Sequence, residues 1–202
     1  MIFSPIKIGS LEVPNRIVVA PMCQYSAING VMTDWHTQHL MQLGYSSAGL
    51  IMVEATAVEE IGRITHNCVG IYNEKCRESL KKNLQLAKSV APNKSCFGIQ
   101  LAHAGRKAST QRPWEGRSAL TKEDNPWKTI CPSPIPFQEN WHIPQEMKLS
   151  DLERVKKKFI SASMKAVEIG FDLIEIHGTH GYLLHQFLSP ISNKRKDRYG
   201  GN

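Results

Sequence analysis

Four short apolar segments constrain this chain more than any other feature: Ile17–Ala20, Leu50–Ala55, Cys96–Ala102 and Phe171–His177. Each is bounded by Gly, Pro or polar residues, and none alternates cleanly between apolar and polar. Strands of that kind are covered on both faces. Helical patterns lie between them. Thr33 or Asp34 caps a helix expected to run to about Leu43, with Gly44 as its stop. The segment Glu74–Val90 sets Leu80, Leu84, Ala87 and Val90 or Ala91 on one stripe. Ser150 and Glu153 read as a capping box, and Leu152, Val155, Phe159, Ala162, Ala166 and Ile169 follow at helical spacing. Strands alternating with helices in this order imply right-handed βαβ units and a parallel sheet, an α/β fold. One interval does not fit the rhythm. From about residue 103 to 149 the chain makes an excursion rich in Pro and Trp ("QRPWEGRSAL", "CPSPIPFQENW"), long enough to be a functional cover or an insertion.

Composition excludes several classes. With 202 residues, 41% hydrophobic and 21% charged, the chain can bury a core of ordinary size. No apolar run approaches the roughly 18 residues of a membrane helix, and "MIFSPIKIGS" lacks the apolar centre of a signal peptide. Cys23, Cys68, Cys76, Cys96 and Cys131 are odd in number and widely spaced, against a disulfide framework or a thiolate zinc knuckle. A reduced, cytoplasmic setting is expected, with no membrane partner. The formal charge of +7 is carried partly by Lys156–Lys158 and by Lys194, Arg195, Lys196 and Arg198. No nucleic-acid recognition motif accompanies it, so these clusters read as a solvated helix face and a basic loop.

Parallel α/β folds bind ligands at the carboxyl ends of their strands. Those ends read "PMCQYS", "EATAV", "IQLAHAGRKAS" and "IHGTHGY". On a continuing strand, His177 and His180 would point to opposite faces, but Gly178 permits a turn that returns His180 beside His177. The pair then offers two N–H donors to one oxygen. Two rival readings stay open: a metal site, which lacks a third ligand at metal spacing, and two ordinary surface histidines. Gln100, at the end of a buried strand, is either a core amide satisfied by backbone or a group that accepts and donates to a ligand edge. Cys23 is a nucleophile, a cofactor modulator or a small buried residue. Tyr25 and Tyr182 are proton donors or wall residues.

Taken together, "VPNRIVVAPMCQYSA", "GLIMVEATAVEEIGRIT", "FGIQLAHAGRKAS" and "FDLIEIHGTHGYLLHQFLSPISNKRKDRYGG" resemble the old yellow enzyme family of FMN-dependent ene-reductases (NADH:flavin oxidoreductases), in its thermophilic-like, cysteine-containing branch. The resemblance implies a TIM (β/α)8 barrel, and the excursion looks like that family's capping segment. It implies that Pro21, Met22 and Cys23 line FMN, with Cys23 tuning its potential, and that Ala55 and Gln100 contact the flavin's pyrimidine side. It further implies that His177 and His180 bind a substrate carbonyl, that Tyr182 donates a proton, and that Tyr25 touches substrate. Gly178-Thr179, where many relatives have Ala after the Gly, is expected to narrow the pocket slightly.

The implied activity is reduction of the C=C bond of an enone or enal, with NADPH or NADH as electron donor. A dienoyl-CoA-type reductase is the alternative within the fold, and a non-catalytic binding module the alternative outside it. Such barrels close with eight strands and about 250 residues, whereas four strands are counted here. The expectation is therefore that residues 1–202 form the N-terminal half of one FMN-binding barrel domain, weakly active alone and homo-oligomeric when full length.

Overall fold

The computed structural model describes residues 1–92 and 95–201. Asn202, the last residue of the expected half-barrel domain 1–202, lies outside them. The chain opens with an antiparallel hairpin, β1 (Ile6–Ile8) and β2 (Leu11–Val13), turning through Gly9 at φ 59°. This hairpin was not anticipated; at three residues a strand it is too short to show a period. Next come β3 (Val18–Val19), α1 (Asp34–Tyr45), β4 (Leu50–Ala57), α2 (Glu74–Val90) and β5 (Cys96–Ala102). After the excursion follow α3 (Leu149–Ile169), β8 (Leu173–Ile176) and α4 (Leu183–Leu188).

The four expected strands pair in parallel in the order β3-β4-β5-β8. Every residue of β4 and β5 is buried, as expected for strands covered on both faces, whereas β3 and β8 at the two margins are not. The main core joins Ile51, Val53, Phe97, Ile99 and Leu101 of the sheet to Leu80, Leu84 and Ala87 of α2 and to Ala162, Ala166 and Ile169 of α3. The register of β4 on β5 shifts between Val53 and Thr56, an irregularity that re-aims side chains beside functional ends of sheets. Glu54 and Ala55 sit there.

Several local expectations are corrected. Gly44 does not stop α1; it lies inside the helix, where a Cβ would meet the Ala87 carbonyl oxygen at 2.6 Å, so it permits close packing on α2. The α3 cap lies two residues earlier than Ser150: the Asp151 carboxylate accepts from the Lys148 amide at 2.9 Å. The fourth strand is shorter than Phe171–His177, although the His177 amide still donates to the Leu101 carbonyl at 2.9 Å. Within the excursion, two short strands pair in parallel, β6 (Ile130–Cys131) with β7 (Gln145–Glu146), and three single helical turns complete it.

Candidate active site

The four parallel strands deliver their carboxyl ends to one cavity of about 500 Å³. Pro21, Met22 and Cys23 arrive from the loop after β3, and Ala55 from the irregular end of β4. Gln100 comes from β5, while His177, His180 and Tyr182 follow β8. Tyr25 closes the set. All nine residues singled out from the sequence thus line a single cavity.

The turn that bends the histidines together is not made at Gly178. His180 (φ 56°) and Gly181 (φ 72°) carry the left-handed backbone. A histidine tolerates that region only when its surroundings over-determine it. Here the Lys107 ammonium donates to the His180 carbonyl at 2.8 Å, and the Gly181 amide donates to His185 Nδ1 at 2.8 Å. The outcome is the expected one: the His177 and His180 rings meet edge-on at 5.2 Å between centroids, and His177 meets Tyr182 at 4.9 Å.

Thr179 places its hydroxyl 3.3 Å from His177 Nδ1, and its amide donates to the same nitrogen at 3.5 Å. An amide can only donate, so Nδ1 is the acceptor and Nε2 carries the ring proton. The backbone amide at this position, rather than the threonine side chain, therefore sets the tautomer. Burial lowers the His177 pKa, with His180 and Lys107 adding to the effect, so the ring is a neutral N–H donor at pH 7. Burial raises the Tyr182 phenol, which remains protonated, and raises Tyr25 in the same way. Tyr25 also has left-handed backbone (φ 49°) and stands edge-on to Trp114 at 5.8 Å. Burial pushes the Cys23 thiol well up, with Cys68 and Glu54 adding to it. A neutral thiol is a poor nucleophile.

Three functional supports were missed from sequence. Glu175 accepts from Gln100 Nε2 at 2.5 Å, which leaves the Gln100 carbonyl oxygen as the group that accepts from a ligand. Gln186 accepts from the Arg106 amide at 3.3 Å and donates to the carbonyls of Ala104 and Gly181 at 3.1 and 2.7 Å. Lys107 pins the His180 turn. None has a local signature. Among the described residues, no cluster of three or more His, Cys, Asp or Glu could hold a metal, and no helix is long and apolar enough to cross a membrane.

The sequence profile of the NADH:flavin oxidoreductase / NADH oxidase family matches residues 1–202. The chain belongs to this family. It is 45% identical over 205 residues to an NADH:flavin oxidoreductase of Gibberella zeae, covering 100% of this chain and 49% of that one. It is 41% identical over 204 residues to an NADPH dehydrogenase of a Geobacillus species, covering 100% and 55%. Among solved structures it superposes on Old Yellow Enzyme from Pichia sp. AKU4542 with a TM-score of 0.85 at 31% identity, covering 100% of this chain and 52% of the other. The chain spans about half the length of these relatives. The old yellow enzyme resemblance is thus established at the family level.

Proposed function

We propose that this chain carries the substrate face of an FMN-dependent ene-reductase, which reduces the C=C bond of an enone or enal at the expense of NADPH or NADH. The supporting observation is the convergence of two imidazoles and a phenol on the cavity that Cys23, Ala55 and Gln100 also line. In this reading the four parallel strands are the first four βα units of a (β/α)8 barrel, within a protein that is homo-oligomeric when complete. Its partner is a small molecule.

The residues present suit a flavin. With its amide nitrogen held by Glu175, Gln100 offers a carbonyl oxygen to an imide N–H. Pro21, Met22 and Ala55 give apolar surface, and the neutral Cys23 thiol makes a polarisable contact fit to modulate redox potential. FMN, when bound, supplies the hydride chemistry. The chain supplies the rest. His177 Nε2–H and His180 donate to the substrate carbonyl oxygen, where enolate charge develops, and so act as an oxyanion hole. Removing one donor of that kind costs about 10²–10³ in rate. Tyr182, protonated because it is buried, gives its proton to the α-carbon as general acid. Tyr25 borders the bound substrate.

The test uses flavin absorbance. With FMN bound, a phenol placed on the histidine pair perturbs the flavin spectrum. In the His177→Ala, His180→Ala double variant, the perturbation is expected to vanish while flavin binding persists. An unchanged phenol response would sink the assignment.

A further inference from the structure

Outside the cavity of the histidine pair lies a second chamber of about 530 Å³. Tyr25, Ile64 and Tyr182 line both and form a partition. The outer walls come from the excursion, with the rings of Phe137 and Trp141 and the side chain of Arg117. The charge balance of this chamber is uneven. Lys107 and Arg117 line it, and among the described residues no carboxylate side chain does. Among the described residues Lys107 makes no ion pair; its ammonium lies 2.8 Å from the His180 carbonyl, 4.7 Å from the Phe137 ring centre and 4.9 Å from that of Tyr182. Arg117 also makes no ion pair among the described residues, whereas neighbouring Arg112 is neutralised by Glu115. The turn presenting Arg117 is left-handed at two successive residues, Gly116 (φ 123°) and Arg117 (φ 59°). Left-handed backbone at a bulky residue is uncommon and collects at ligand sites.

Two uncompensated cations, Lys107 against the rings of Phe137 and Tyr182 and Arg117 at the exposed rim, form a receptor for an anionic group joined to a planar or apolar body. We propose that the outer chamber is a subsite for a carboxylate-bearing extension of the reducible substrate, with Lys107 at its inner end and Arg117 at its outer end. This deepens the reading of the inner cavity as the carbonyl pocket, and rests on it. Substrates with an acidic tail are then preferred over neutral isosteres. Burial, with Arg106 beside it, holds Lys107 below the usual lysine range, and an arriving anion relieves that penalty.

The probes are para-hydroxyphenylacetate and its neutral amide, titrated calorimetrically into the 202-residue chain in the presence of FMN. The acid is expected to bind about fivefold more tightly than the amide at low salt, the upper range for a partly exposed ion pair, with the gap closing as salt is raised. Arg117→Asn, whose side chain accepts left-handed backbone, should reduce the gap, and Arg117→Lys should retain it. Circular dichroism checks that both variants are folded. Equal affinity for acid and amide in the parent chain, or a gap indifferent to Arg117→Asn, overturns the subsite. A para-methylphenol arm reads the inner pocket alone. If para-methylphenol fails to bind while the Arg117-dependent gap persists, the chamber stands and the histidine-pair reading falls. A fourth arm compares NADP⁺ with NAD⁺. If Arg117→Asn weakens NADP⁺ selectively and spares the acid–amide gap, the chamber serves a nucleotide phosphate and the proposal is overturned.

Discussion

Gln186 is 1% exposed and uses both ends of its amide on backbone. It clamps the turn after β5 to the turn that carries His180. A Gln186→Leu variant keeps the volume but strands the Arg106 amide and the carbonyls of Ala104 and Gly181. The expected loss is about 1–3 kcal/mol, read as a lower urea midpoint at unchanged m-value, together with weaker phenol binding because the His180 turn loosens. A midpoint equal to the parent's would show that water replaces the amide at no cost. Cys23 raises a different question. Its thiol is neutral, so Cys23→Ala should leave the fold and turnover largely intact while shifting flavin potential and substrate affinity. Complete loss of turnover would point to covalent catalysis and remove the modulator role. These two residues mark what the sequence could disclose. Cys23 was legible because it lies at a strand tip, in a stretch whose chemistry is local. Gln186, Glu175 and Lys107 were not, because their partners lie 82, 75 and 73 residues away.

Elements are joined around the site by a buried polar link. His103 ends the β5 ladder with its Nδ1 accepting from the Gly105 amide at 3.0 Å, so Nε2 carries the proton and donates to Glu59 at 2.9 Å. Glu59, in the loop after β4, is also paired with Arg154 in the second turn of α3. One carboxylate thus ties β4, β5 and α3 together beneath the excursion. Burial raises its pKa, but the hydrogen bonds from His103 and Arg154 and the Arg154 charge more than offset this and leave it below the usual carboxylate range. A depressed carboxylate stabilises the fold above the unfolded value, about 4.3, and that stability fades as pH falls through the folded value. Arg154 is 37% exposed and is not left as a buried charge, so Glu59→Gln is expected to cost about 1–3 kcal/mol at pH 7, the scale for losing hydrogen bonds to a charged group. The difference from the parent should narrow below about pH 4. A difference constant from pH 7 to pH 3 would assign the cost to packing alone. Element boundaries were legible wherever a stripe and a cap agreed, as in α2, which starts and stops at Glu74 and Val90 as read, with Asn73 capping the Cys76 amide. They were misread where a single glycine or serine was asked to decide. Gly44 serves interhelical packing, Gly178 is not the left-handed residue, and Asp151, at the third helical position, reaches back to the Lys148 amide so that the helix starts before Ser150.

At the scale of the molecule, the sheet and its helices have an uneven surface. Ile160, Met164 and Val167 of α3, Ile176 of β8 and Leu188 of α4 are between 48% and 77% exposed. Beside them an apolar hollow of about 590 Å³ is lined by Leu152, Phe159, Leu183 and Phe187. Among the described residues β8 is paired on one side only, by β5. Apolar patches of more than a few hundred Å² are unusual on soluble monomers, and an unpaired strand edge templates pairing with other chains. The same stripe that identified α3 from sequence points inward at Val155, Ala162 and Ala166, so the exposed residues are a second apolar face that a one-stripe reading does not register. Two consequences follow for the chain in solution. It should associate as its concentration rises through the micromolar range, with the weight-average sedimentation coefficient increasing accordingly. It should also bind an apolar dye in its folded state. Replacing Ile160 and Val167 by Lys places charge on the exposed face without touching the buried stripe, and should lower both the association and the dye signal while leaving the thermal midpoint within a few degrees. The surface argument fails if the parent chain sediments as a single monomeric species across that range and binds no dye.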